Sequence, residues 1–149
     1  MKLLLRTISI GRWSLPLPVF AWFLLAMLAA IAEISRGQEA INNYYIFKGV
    51  FEHTLAQKNL YLLYPGEYVD SNHYGPVFSI LIAPFALLPD FLGCFLWCAL
   101  NAWVLFYAIR QLQLTDQQQQ LLLLIGLVEM MTAIHNVQFN PMLTGWILL

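Results

Sequence analysis

Apolar residues along the chain gather into long blocks separated by one extended polar interval. Ser14 to Ala32 is nearly uninterrupted apolar sequence of about 19 residues, enough at 1.5 Å per residue to cross the roughly 30 Å hydrocarbon core of a bilayer. Leu92 to Ile109 is a second block, and Leu121 to Ile134 a third, extended at its start by Gln117 to Gln120. Another apolar run opens at Pro141 and reaches Gly145-Trp146-Ile147-Leu148-Leu149, too short to span. The pattern predicts an all-α integral membrane protein, a polytopic helix bundle with spans near 14–32, 91–109 and 119–134 and the start of another at 141. The chain reads as the N-terminal part of a longer polytopic domain.

Pro76 to Leu88 is also apolar, but it runs for only about 13 residues and is bracketed by Pro76, Pro84 and Pro89. That length suits a re-entrant or interfacial segment over about 76–89 better than a crossing. Lys2, Arg6 and Arg12 precede the first span and place the N-terminus inside. The small-x-small string Ala30-Ile31-Ala32 leaves a cleaved signal as the competing reading. Either way, residues after Glu33 lie outside. If 76–89 does not cross, Arg110 faces the cytoplasm and His135 to Asn140 shares a side with the long polar interval. If it crosses, both assignments reverse.

The interval from Glu33 to Tyr74 forms an outer loop over about 33–75. Loops beyond about 12 to 15 residues are seldom mere connectors. Ile41, Tyr44, Tyr45, Phe47, Val50, Phe51 and Leu55 recur near helical spacing, so Ala40 to Gln57 is an amphipathic helix with an aromatic side, suited to the membrane interface. Asn59 to Ser71 is loop, with a turn at Pro65-Gly66. Thr115-Asp116 before the glutamines reads as a helix N-cap.

Composition sharpens this picture. Of the residues 60% are apolar and 10% charged, against about 25% charged in a soluble domain. A net charge of -1 and the lack of a basic run exclude nucleic acid as a partner. His53, His73 and His135 lack zinc-ligand spacing, and no cofactor or metal motif is present. Cys94 and Cys98, one helical turn apart, read as small packing residues.

Several polar residues remain as candidates for chemistry. Glu129 stands among apolar neighbours, where an ionisable group is costly and by default lines a bundle interior or wet cavity. The string His135-Asn136-Val137-Gln138-Phe139-Asn140 offers amides and an imidazole to sugar hydroxyls or phosphate oxygens, or else caps the helix ends. Tyr44, Tyr45, Tyr61, Tyr64, Tyr68 and Tyr74 form either an anchoring belt or a floor for sugar rings. Glu39, Glu67 and Asp70 are carboxylates of the loop.

Asn42-Asn43-Tyr44-Tyr45-Ile46-Phe47-Lys48, Asn59-Leu60-Tyr61, His73-Tyr74-Gly75-Pro76 with Pro84 and Leu88-Pro89, Trp97, Asn101 and Gln138-Phe139-Asn140 together resemble glycosyltransferase family 87. The resemblance implies a polyprenyl-phosphate-sugar-dependent enzyme of the glycosyltransferase C superfamily, with a catalytic first outer loop. It implies an inverting transfer in which a carboxylate deprotonates the acceptor hydroxyl as the lipid phosphate leaves. Many members carry an aspartate at the start of the loop helix; Asn43-Tyr44 occupies that place here, and a neutral amide is no base. Either another carboxylate, with Asp70 or Glu39 ahead of Glu67, takes the role, or this branch only orients the acceptor through Asn43, or transferase activity has been lost. Gln138-Phe139-Asn140 is similar to the family's Gln-x-Asn turn, with Val137 where glycine is common, and its placement outside favours the topology in which 76–89 does not cross.

The expected function is transfer of a sugar, mannose or another hexose, from a polyprenyl-phosphate donor to a glycolipid or envelope glycan at the bacterial cytoplasmic membrane. Asn43, Asp70 and Glu39 are the expected catalytic residues; Tyr44, Tyr74, Glu129, His135, Gln138 and Asn140 are expected to bind substrate. The alternative is a non-catalytic glycolipid-binding or translocation subunit on the same scaffold. A transporter fits less well, because its site belongs at mid-bilayer on broken helices.

Overall fold

A computed structural model describes residues 6–149. Lys2, one of the three basic residues expected to hold the N-terminus inside, lies outside the described residues. The first helix does not begin at Ser14. A hairpin precedes it, in which β1 (Thr7–Ile10) pairs antiparallel with β2 (Trp13–Pro16), Thr7 opposite Pro16. This hairpin is a departure from the all-α expectation, and proline explains its position. Pro16 stays extended and stands just before the helix, while Pro18 falls in the first turn, where its missing N–H costs nothing.

The remaining elements are helices: α1 (Leu17–Ser35), α2 (Asn42–Leu55), α3 (Phe78–Ala86), α4 (Asp90–Gln111), α5 (Asp116–His135) and α6 (Asn140–Leu148). Among the described residues, α1 and α4 are long and apolar enough to cross a membrane. α5 has 20 residues but is less apolar, because Gln117 to Gln120 occupy its first turns. α3 has nine residues and covers about 14 Å, less than half the hydrocarbon thickness.

Packing radiates from α1 and α4. α1 lies against both α4 and α5, α4 carries α6, and α2 rests on α3, which in turn packs on α4. Trp22 is fully buried at the α1–α4 contact and donates Nε1–H to the Ala102 carbonyl at 3.0 Å. Ala26, Ala30, Ala102 and Ala108 are buried in these helices, where small side chains let backbones approach. Cys94 and Cys98 are buried free thiols among them, consistent with the packing reading. Leu24, Leu28 and Ile31 of α1, Trp103 and Tyr107 of α4, and Ile125 and Val128 of α5 point outward, as apolar solvent around the bundle would allow.

The expected cap at Thr115 is present as a capping box. Its hydroxyl accepts from the Gln118 N–H at 3.4 Å, and the Gln118 side chain accepts from the Thr115 N–H at 2.9 Å. Gln119 then donates to the carbonyls of Arg110 and Leu112, closing the α4–α5 turn.

α2 occupies most of the interval expected as an amphipathic helix, but its aromatic side meets protein. Tyr44, Phe47 and Val50 are buried. Tyr44 Oη donates to the Phe85 carbonyl at 3.0 Å, and Gly93 is where α4 comes so close that a Cβ would overlap both Tyr44 Oη and the Phe85 carbonyl. At the other edge of α2, Lys48 Nζ pairs with Asp90 Oδ1 at 2.6 Å and Tyr45 Oη donates to Asp90 Oδ2 at 3.0 Å. Burial, the hydrogen bond to Asp90 and its negative charge push the Tyr45 phenol up to about 12, so it remains a donor.

Candidate active site

A cleft of about 180 Å³ opens where the first turn of α2, the loop segment 70–74 and the α5–α6 turn meet. Asn43, Ile46 and Phe47 line it from α2; Asp70, Ser71, His73 and Tyr74 from the loop; Gln138, Phe139 and Asn140 from the turn. Three stretches far apart in sequence thus converge on one polar depression.

Two asparagines hold the loop wall in place. Asn42 brackets the backbone of Val69, and Asn72, itself buried, donates to the carbonyls of Leu60 (3.2 Å) and Tyr74 (2.9 Å) while accepting from the Tyr74 N–H at 2.8 Å. Between these clamps Asp70 adopts φ +82°, a left-handed conformation that costs a non-glycine residue about 1–3 kcal/mol and persists only where its surroundings impose it. One carboxylate oxygen of Asp70 accepts from the Ser71 N–H at 2.7 Å. Ser71 Oγ lies 3.5 Å from His73 Nε2.

The opposite wall is also strained. Val137 has φ +48°, unfavourable for a β-branched side chain, yet it is buried in the core and so held there. The glycine common at this place in the resembled family would adopt that backbone freely. The left-handed residue reverses the chain from α5 into α6, and Asn140 Nδ2 then donates to Gln138 Oε1 at 3.0 Å. Asn43 Nδ2 donates to the Asn136 carbonyl at 2.7 Å, tying α2 to this turn.

An aromatic floor supports the cleft. Phe47 and Tyr74 meet edge to face at 5.1 Å, Tyr74 and Phe78 lie at 4.5 Å, and Phe139 stacks on the buried Trp97 at 6.0 Å. Burial raises the Tyr74 phenol above its ordinary value, so its hydroxyl stays neutral. Asn101, fully buried in α4, accepts from the Met142 N–H at 3.2 Å and so satisfies an otherwise free donor in the first turn of α6.

Of the residues expected to act, Asn43, Asp70, Tyr74, Gln138 and Asn140 come together in this cleft. Four do not. Glu39 lines a separate depression with Arg36, Gln38 and the 65–69 segment. Tyr44 turns into the α2–α3–α4 junction, because the helical rotation that brings Asn43 to the cleft carries its neighbour about 100° away. Glu129 is exposed on α5 rather than facing the bundle interior. His135 Nδ1 lies 2.6 Å from Glu33 Oε1 and borders an apolar groove between α1 and α5. Glu33, near the end of α1, has a buried carboxylate that Arg36 also holds at 2.8 and 2.9 Å.

The cleft also holds Ser71 and His73, which are not among the expected site residues. The sequence signal for them is proximity to Asp70, one and three residues on, and for His73 its place in the His73-Tyr74-Gly75-Pro76 string. Among the described residues, no group of three or more His, Cys, Asp or Glu side chains is placed to hold a metal ion.

No curated protein and no solved structure matches this chain. A family model described as glycosyltransferase family 87 matches residues 72–149, which include His73, Tyr74, Gln138 and Asn140 but not Asn43 or Asp70. That match takes in more than half of the sequence, and with it Tyr74, Phe78, Trp97 and Phe139 of the aromatic floor and the Gln138–Asn140 wall of the cleft: the chain belongs to glycosyltransferase family 87.

Proposed function

We propose that this membrane glycosyltransferase moves a sugar, mannose or another hexose, from a polyprenyl-phosphate donor to a glycolipid or envelope glycan at the outer face of a bacterial cytoplasmic membrane. The observation that carries the reading is the cleft itself. It gathers one carboxylate, one imidazole, three side-chain amides and a neutral phenol over an aromatic floor, a set of groups suited to sugar hydroxyls and their flat C–H faces. The short α3 supports the topology in which 76–89 does not cross, with the N-terminus inside and the cleft outside.

Asp70 is the base in this reading. Its carboxylate takes the proton of the acceptor hydroxyl as that oxygen attacks the anomeric carbon from the face opposite the departing phosphate. General-base assistance of this kind contributes about 10² to 10⁴ in rate. Asn43 keeps a free carbonyl oxygen to orient the acceptor, since its Nδ2 already serves the Asn136 carbonyl. Tyr74, Gln138 and Asn140 supply hydrogen bonds to the sugar.

The test is release of polyprenyl phosphate by the purified full-length protein, given a panel of polyprenyl-phosphate sugars and membrane glycolipids. Turnover with one donor is expected. Tight donor binding without release across the panel would instead favour a non-catalytic binding or translocation subunit, a reading that draws on the neutral Asn43 and its use as a brace.

A further inference from the structure

Among the described residues lining the cleft, His73 is the one whose side chain can carry a positive charge. Other basic side chains are committed elsewhere: Arg36 and His135, the latter at the end of α5, to Glu33, and Lys48 to Asp90. A phosphate leaving an anomeric carbon gathers negative charge as the bond breaks, and a cationic donor aimed at that charge is a strong form of transition-state stabilisation. A histidine changes charge between about pH 5 and 8, so it can serve as that cation near neutrality.

The local geometry suits the role. Ser71 Oγ sits 3.5 Å from His73 Nε2, and the clamps of Asn42 on Val69 and Asn72 on Tyr74 fix both ends of the segment carrying Asp70, Ser71 and His73. Asp70 and Tyr74 are the other titratable groups on the cleft wall; α2 contributes Asn43, and the α5–α6 turn contributes Gln138 and Asn140, all neutral. The cleft therefore holds one anionic and one cationizable side chain.

We propose that His73 is the acid partner of Asp70 and holds the leaving phosphate. The proposal rests on the transferase reading above and assigns the second half of its chemistry. The acceptor oxygen forms the new bond to the anomeric carbon, and its proton passes to the Asp70 carboxylate. The bond from that carbon to the phosphate oxygen breaks, its electron pair stays on phosphate, and the His73 imidazolium donates its N–H to that oxygen. The products are the new glycoside and polyprenyl phosphate.

The experiment measures kcat against pH for the full-length wild type, His73→Gln and His73→Arg, with the polyprenyl-phosphate sugar that the wild type turns over. Monodispersity and donor affinity of each variant in detergent check its fold. Wild-type activity should decline on the alkaline side, where a cation at position 73 is lost. His73→Gln should lose about 10²-fold in kcat together with that alkaline limb, and His73→Arg, with a fixed charge, should recover at least tenfold over the glutamine variant, also without the limb. A folded His73→Gln enzyme within threefold of wild type and with its alkaline limb intact would overturn the assignment while leaving the transferase reading standing. So would a variant that loses the acidic limb instead, since His73 would then be a base. A wild type that turns over no donor would overturn the transferase reading and this assignment together. Should the His73 variants fail to fold, Ser71→Ala decides: a shift or loss of the alkaline limb supports the assignment, and an unchanged profile counts against it.

Discussion

Asn42 holds Val69 through both atoms of its amide. Nδ2 donates to the Val69 carbonyl at 2.7 Å, and Oδ1 accepts from the Val69 N–H at 2.8 Å, closing a ring of two hydrogen bonds between α2 and the loop. The pair imitates a rung of β-ladder with a side chain in place of one strand, and the next residue along is Asp70. Asn42→Ala removes both bonds, each worth about 0.5–1.5 kcal/mol net. Thermal unfolding in detergent should report a modest loss, whereas transfer activity should fall by more than tenfold, because Asp70 is no longer held over the cleft. An unchanged rate would mean that the strained turn at Asp70 is maintained without this clamp.

The placement of the two loop carboxylates separates their expected behaviour. Asp70→Asn should reduce transfer by about 10² or more, the scale of general-base catalysis, whereas Glu39→Gln should stay within twofold, since Glu39 lines a different depression. Asn43→Asp should not rescue Asp70→Asn. It would replace the donor 2.7 Å from the Asn136 carbonyl by a carboxylate and set two acceptors against each other. Steady-state kinetics of the four proteins decide this, and recovery in the double variant would return the base to position 43.

Glu33 joins α1 to the end of α5 through His135 and is braced by Arg36. The carboxylate is buried, while His135 and Arg36 are largely exposed, so the two sides of the cluster are not equivalent to remove. Taking away both partners leaves a buried charge uncompensated, at a cost of about 3–5 kcal/mol, whereas Glu33→Gln leaves behind only side chains that are largely exposed to solvent. The double variant Arg36→Ala with His135→Ala should therefore melt well below Glu33→Gln. The reverse order would show that the carboxylate is reached by water.

Gly93 lets α2, α3 and α4 meet. A methyl group at this position would occupy space held by Tyr44 Oη and the Phe85 carbonyl, one of them backbone. Gly93→Ala should destabilise the protein by about 1–3 kcal/mol, the usual range for overpacking. Gly66→Ala, at a loop position with open space around it, should be nearly silent in the same melting experiment.

Much of the architecture follows from the order of residues alone. The apolar blocks Ser14 to Ala32, helical from Leu17 on, and Leu92 to Ile109 had to become long helices, because only internal hydrogen bonding satisfies a backbone in lipid, and Pro76 and Pro89 bound the short segment that holds α3, with Pro84 inside that helix. Thr115 and Gln118 dictated a helix start through local hydrogen bonds. The family was also legible, because its strings lie in order along the chain. Periodicity nevertheless states which side chains share a helix face, not where that face looks. Tertiary structure alone decided that Asn43 borders the cleft while Tyr44 fills a helix junction, that Glu129 points outward and that His135 answers Glu33. It likewise put Asp70 and not Glu39 on the cleft wall, because an aperiodic loop takes its shape from long-range clamps such as Asn42 on Val69, and their partners are separated by a sequence distance that no local pattern encodes.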